Sequence, residues 1–348
     1  MNATTYPAPS APAARTTPGH PTHTLRMLLR REYWEHKGGF FWAPLVAATI
    51  SVVLTVMGIL LAEFAVRRKL GERGGVEIDG IRVNNLDFTQ LMGRLDAEDI
   101  RQVGSAVDLF LLSGSMWPFI VLAFTVFFYC LGSLYDDRKD RSVLFWKSLP
   151  VSDRQTVLSK VATALGVAPL LALVGSVVCM VALMTVLSLF VLAHGGNPAT
   201  VLWAPASPLS VVGALIAGLP VYVLWALPTV GWLMLCSAWA RSKPFLWAVV
   251  LPVFAGIIVT WLGFFVRTDS SWFWAHVVGR LLLGTVPGMD LVYRDAPNTG
   301  DGLAGMMAEL SAQNALASLS MPGLWIGVVA GVAMIIAAIR LRRWRDEG

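Results

Sequence analysis

Charge is scarce in this sequence. Asp, Glu, Lys and Arg make up 14% of its 348 residues and the mean hydropathy is +0.64, whereas a soluble domain carries about 25% charge. That shortage excludes an ordinary water-soluble domain. Cysteine is scarce too: Cys130, Cys179 and Cys236 stand far apart in apolar stretches, without metal or disulfide spacing, so each is expected to be a small buried side chain. No G-x-x-x-x-G-K-[ST] run is present, so the chain does not bind ATP through a P-loop of its own. H-E-x-x-H, G-x-S-x-G and paired intramembrane Asp are also missing, which leaves an intramembrane enzyme as the least supported reading. Ion-coupled transport needs titratable groups near the bilayer midplane, yet Glu63 alone approaches an apolar stretch, at its outer end. If this chain moves anything uphill, the energy comes from another polypeptide. The net charge of +5 flanks apolar stretches and builds no basic domain, so it reflects membrane topology and not nucleic-acid binding.

What is present is apolar length. Six windows of about 20 residues or more without central charge lie near Phe40 to Ala62, Leu109 to Leu134, Val161 to Ala193, Leu209 to Ala240, Phe245 to Val266 and Pro322 to Ile339. Each is expected to cross the bilayer as a helix. The expected fold class is therefore all-α, a polytopic membrane protein with six transmembrane helices. Lys and Arg concentrate in the segments to Gly39, from Tyr135 to Lys160, from Arg241 to Pro244 and from Arg340 onward, which places both termini in the cytoplasm. Arg67, Arg68 and Lys69 oppose that orientation, but they belong to a long outer segment that is also acidic.

Along the chain, residues 1–23 are rich in Pro, Ala and Thr and read as a disordered cytoplasmic tail, not a signal peptide. Residues 24–39 place Leu25, Leu28 and Leu29 at helical spacing beside Arg26, Arg30, Arg31 and Lys37, which predicts an interfacial amphipathic helix ended by Gly38 and Gly39. In the outer segment 65–108, VEIDGIRV alternates around an Asp-Gly turn and predicts a small hairpin, while Asp96 and Asp99 suit the start of the next helix. The third and fourth apolar regions exceed the length needed to span, and Pro220 and Pro228 mark bending in the fourth. The outer loop 267–321 contains SWFWAHVVGRLLLGTVPGM, which reads as a re-entrant or interfacial helix with Arg280 in its middle. Residues 341–348 form a short cytoplasmic tail that anchors the last span.

The densest charge between two apolar stretches is YDDRKDRSVLFWKSLPVSDRQTVLSK, residues 135–160. A mere connector could be short and polar, so Val143, Leu144, Phe145, Trp146 and Leu149 predict a docking surface. Ser142 to Leu149 suits a short helix stopped by Pro150, and Ser152 with Gln155 fits a capping box for a helix leading into the third span.

Six spans, an interfacial helix before the first and this loop together resemble the permease subunits of bacterial type-2 ABC exporters, over nearly the whole chain after Thr24. SLPVSDRQTVLSK carries the most specific part of the likeness. The resemblance implies that 40–340 is a permease domain of the bacterial cytoplasmic (inner) membrane. It implies a second permease copy and a separate cytoplasmic ATPase subunit that binds ATP, this chain holding no cofactor. It implies that residues 135–160 form a coupling loop, with Leu144, Phe145, Trp146, Lys147, Leu149 and Pro150 contacting the ATPase and Arg138 and Arg141 at the rim. The long segment 65–108 departs from the smallest members. The loop chemistry alone also fits a membrane scaffold or sensor that binds a cytoplasmic partner without transport.

Overall fold

In hydrocarbon every backbone N–H and C=O must be satisfied within the chain, so long apolar windows become helices. The computed structural model describes residues 21–73, 76–78, 81–83, 96–140, 151–289 and 312–345. It is an all-α polytopic protein apart from one short hairpin among the described residues. Six helical stretches are long and apolar enough to cross a membrane: Gly38–Arg68, Ala97–Lys139, Asp153–Ala193, Pro208–Trp239, Pro244–Val266 and Pro322–Trp344. All six expected spans are present, several of them extended. Cys130, Cys179 and Cys236 are buried and free.

The first helix, α1 (Pro21–Glu35), starts within the stretch expected to be a tail. Residues 1–20 of that tail lie outside the described residues. Gly38 and Gly39 do not end the helical path, because a wide π-helical turn, Gly38–Trp42, carries it into α2 (Ala43–Arg73). Proximity accounts for Gly39: a Cβ there would come within 2.6 Å of Thr125 Cγ2. Strands β1 (Val76–Ile78) and β2 (Ile81–Val83) pair antiparallel with Val76 opposite Val83, as the alternation around Asp79-Gly80 predicts.

The second span begins earlier than its apolar window. Helix α3 (Ala97–Ser115) opens on Asp96, whose carboxylate accepts from the Glu98 and Asp99 N–H groups while the Asp99 carboxylate accepts from Asp96 N–H. The backbone hydrogen bond from Asp99, foremost among these, holds the Asp96 carboxyl below its usual value. The helical path is interrupted at Met116 and resumes as α4 (Trp117–Lys139), with Pro118 in its first turn, where a missing N–H costs little. Asp108, within α3, is buried and accepts from Ser207 N–H at 2.8 Å, which ties this helix to the turn before the fourth span.

The third span runs through α5 (Asp153–Ala162), a π-helical turn at Thr163–Val167 and α6 (Ala168–Ala193). Helices α7 (Pro208–Trp239), α8 (Pro244–Val266) and α9 (Pro322–Arg345) complete the bundle, with Pro220 and Pro228 both inside α7. Helices α7 and α9 form the most extensive helix pair.

Between α8 and α9, Ser271–Phe273, Trp274–Gly279 and Arg280–Leu283 make one short helical run against the spans. Trp274 Nε1 donates to Thr260 Oγ1 at 2.8 Å and its ring lies against Gly256, about 18 Å along α8 from its start. Thr229 of α7 donates to Arg280 O, and the buried Arg280 guanidinium sits 4.1 Å from the centre of the Trp225 ring while donating to Leu324 O. This short helical run packs against two of the spans, and its buried cation faces an aromatic ring and backbone carbonyls. Of the weak helix expected at Leu303 to Leu319, Ala312–Ala317 is helical and residues 290–311 lie outside the described residues.

Candidate functional site at the arginine-rich end of the bundle

The loop singled out by its sequence divides into three parts. Residues 135–139 still belong to α4, and Asp153 to Lys160 belong to α5. Between them, Arg141, Leu144, Phe145, Trp146, Lys147, Leu149 and Pro150, together with the short helix expected at Ser142 to Leu149, lie outside the described residues. The structure therefore places both shores of the loop.

The far shore is rigid for a local reason. Ser152 Oγ accepts from Gln155 N–H and Gln155 Oε1 accepts from Ser152 N–H, the reciprocal capping box that the spacing predicts. It satisfies two backbone donors that the first helical turn leaves without partners. Ser152→Ala is expected to lower the stability of the detergent-purified chain by about 1 kcal/mol, read from its thermal midpoint.

On the near shore, Arg138 turns toward the bundle. Its guanidinium donates to Ala240 O at 3.0 Å and to Ser237 O, and Ser237 Oγ accepts in turn from the Leu134 and Tyr135 N–H groups. A cation on the last carbonyls of α7 complements the negative end of that helix. The side chain expected at the rim of a docking surface thus fixes the end of the second span to the end of the fourth.

Beneath both shores runs a buried line of alternating charge. Glu32 of α1 accepts from the Tyr129 hydroxyl at 2.8 Å and pairs with Lys160 Nζ at 3.2 Å. Lys160 Nζ lies 3.6 Å from Asp137 Oδ2, which lies 3.3 Å from Arg342 Nη1. Arg342 Nε then reaches Asp153 Oδ1 at 3.3 Å. The Glu32 and Lys160 side chains are 1% and 3% exposed, Arg342 and Asp137 4% and 12%. Charges so far from water persist only when paired and hydrogen-bonded, and here every member touches an opposite charge. His36 stands beside the same acid, its Nδ1 3.2 Å from the Glu32 backbone O and 4.0 Å from Glu32 Oε2.

The line joins four elements that are remote in sequence: α1, the end of α4, α5 and the end of α9. It also brackets the loop, since Asp137 precedes it and Asp153 follows it. Sequence reading missed this cluster. The residues expected to be a cytoplasmic tail from 341 continue α9, and Arg342 is buried there because two carboxylates await it. One signal was available: Glu32 follows Leu25 by seven residues and Leu28 by four, which puts an acid on the apolar stripe of α1.

Among the described residues no group of three or more His, Cys, Asp or Glu is arranged to hold a metal ion. No protein-family model, curated protein or solved structure matches this chain.

Proposed function

We propose that this chain is the membrane-spanning permease subunit of an ATP-binding cassette exporter in a bacterial cytoplasmic membrane, working as one of two permease copies and driven by a separate ATPase subunit. The observation that supports this reading is the buried charge line that ties Asp137 and Asp153, the described residues on either side of 141–150, to α1 and α9. A loop bearing Leu144, Phe145 and Trp146 has a surface to be pushed on, and the charge line gives the push a route into the bundle. The chain has no P-loop of its own, so the nucleotide-burning step falls to the partner. In this reading Leu144, Phe145, Trp146, Lys147, Leu149 and Pro150 contact the ATPase, Arg141 lies at the rim, and Arg138, turned toward the bundle, holds the loop's root.

Expression of the tagged chain in its native host, followed by purification and an ATP-hydrolysis assay, tests this. A P-loop ATPase is expected to co-purify, and Phe145→Asp with Trp146→Asp should reduce its recovery at least about tenfold while membrane insertion stays intact, as for loss of two aromatic anchors. Recovery of a non-hydrolysing signalling protein by the same loop would instead establish the scaffold reading. Unchanged ATPase recovery by the double variant would overturn the assigned contact.

A further inference from the structure

The same end of the bundle carries a second feature that the charge line does not use. A cleft of about 1200 Å³ opens between α5, α7 and α9, larger than the space a drug-sized molecule needs. Its apolar lining includes Leu158, Leu227, Val332 and Ile336, of which Leu158, Val332 and Ile336 are exposed. Its rim holds the guanidinium groups of Arg154, Arg340 and Arg343, all three exposed. Asp153 also lines the cleft, but its carboxylate is engaged by Arg342. Trp344 stands beside the arginines and is 75% exposed, and an exposed Trp at a span end marks the level of the headgroups.

Depth and charge together select the occupant. Val332 and Ile336 lie within a stretch that crosses the membrane, while Arg340 and Arg343 follow one and two turns later at its basic end. The cleft is therefore greasy where acyl chains are and cationic where headgroups are. Its excess positive charge disfavours a zwitterionic headgroup relative to an anionic one. Among the described residues of this surface, a second copy of this chain would bring the same three arginines against a single acid, Asp153, which Arg342 already engages. We infer that this cleft is a binding site for an anionic phospholipid of the leaflet at the arginine-rich end, its headgroup held by Arg154, Arg340 and Arg343 and an acyl chain lying on Leu158, Leu227 and Ile336. A lipid seated there bridges α5, directly after the loop, to the end of the last span. The inference rests on the membrane fold alone and stands independently of the proposed transport role.

The full chain, purified in neutral detergent, is titrated with phosphatidylglycerol, with phosphatidylcholine, or with inorganic phosphate, and followed by native mass spectrometry and thermal unfolding. Phosphatidylglycerol should be retained and should raise the thermal midpoint, with phosphatidylcholine and phosphate doing neither. Arg154→Gln, Arg340→Gln and Arg343→Gln combined should weaken retention on the order of 100-fold, about fivefold for each cation near a membrane surface. Ile336→Trp, at a half-exposed lining position, should displace the acyl chain with the arginines untouched, so that loss of retention in both variants, each eluting as the wild type does, supports the site. Equal retention of both lipids, a shift with phosphate alone, retention undiminished in either variant, or a dimer that excludes the lipid would each overturn it.

Discussion

Lys160→Met is expected to cost the folded chain about 3 to 5 kcal/mol, the range for breaking one side of a buried ion pair, and to lower the thermal midpoint in detergent by on the order of 10 °C. The loss comes less from the missing attraction than from what remains. Glu32, 1% exposed, keeps the Tyr129 hydroxyl at 2.8 Å but has lost the ammonium 3.2 Å away, and a buried carboxylate without its cation bears its full desolvation cost. Glu32→Gln should cost less, because Lys160 retains Asp137 at 3.6 Å. The combined Glu32→Gln, Lys160→Met variant should be more stable than Lys160→Met alone, since the uncompensated charge is then gone. Thermal unfolding of all four proteins gives the coupling directly. Additive losses, or a Lys160→Met protein as stable as the wild type, would mean that α1 is not held to α5 by this pair.

The alternation of charge along the cluster has a consequence for movement. Dry hydrophobic contacts tolerate sliding, whereas a buried pair at 3.2 Å loses most of its compensation when displaced and has no water to replace the partner. The four elements it joins are thereby biased to move together or not at all. In the proposed transport role, Asp137 and Asp153 would carry a push on the intervening loop to Lys160 and Arg342, and from there to α1 and α9.

What was legible in the sequence follows interaction range. The six spans were readable because an uncharged apolar run of bilayer length has few other stable outcomes. The caps at Asp96 and Ser152 were readable because acceptor and donor lie three residues apart. The hairpin at Val76 to Val83 was set by its turn. The Glu32–Lys160 pair was not readable, because 128 residues separate its members and no local pattern names a partner. Gly38 and Gly39 misled for a related reason. A glycine pair signals a helix end when only neighbours in sequence are considered, but Gly39 answers to Thr125 across a helix contact.

The last span poses the same ambiguity in a form that mutation resolves. Gly323, Gly327 and Gly331 recur every four residues, a spacing that aligns small residues along one face and lets helix backbones approach. The three positions are nevertheless unequal. A Cβ at Gly323 would meet nothing within 4 Å, whereas one at Gly331 would stand 2.8 Å from the carbonyl carbon and oxygen of Leu227. Across the same contact, a Cβ at Gly231 would stand 2.6 Å from Gly331 O. Backbone atoms cannot rotate aside as a side chain can, so a larger residue must push α7 and α9 apart. Gly331→Val is therefore expected to cost about 3 kcal/mol, the upper end for overpacking, and Gly231→Val a similar amount. Gly323→Val, with open space around it, should stay within roughly 1 kcal/mol of the wild type, the residual being helix propensity. The damage at Gly331 should also travel, because Arg342 lies about three turns further along α9 and depends on that helix to reach Asp137 and Asp153. Gly331→Val should then erase most of the additional loss caused by Arg342→Met, which thermal midpoints of the single and double variants measure. Equal losses at Gly323 and Gly331 would show that spacing alone, and not the α7–α9 backbone contact, sets the cost.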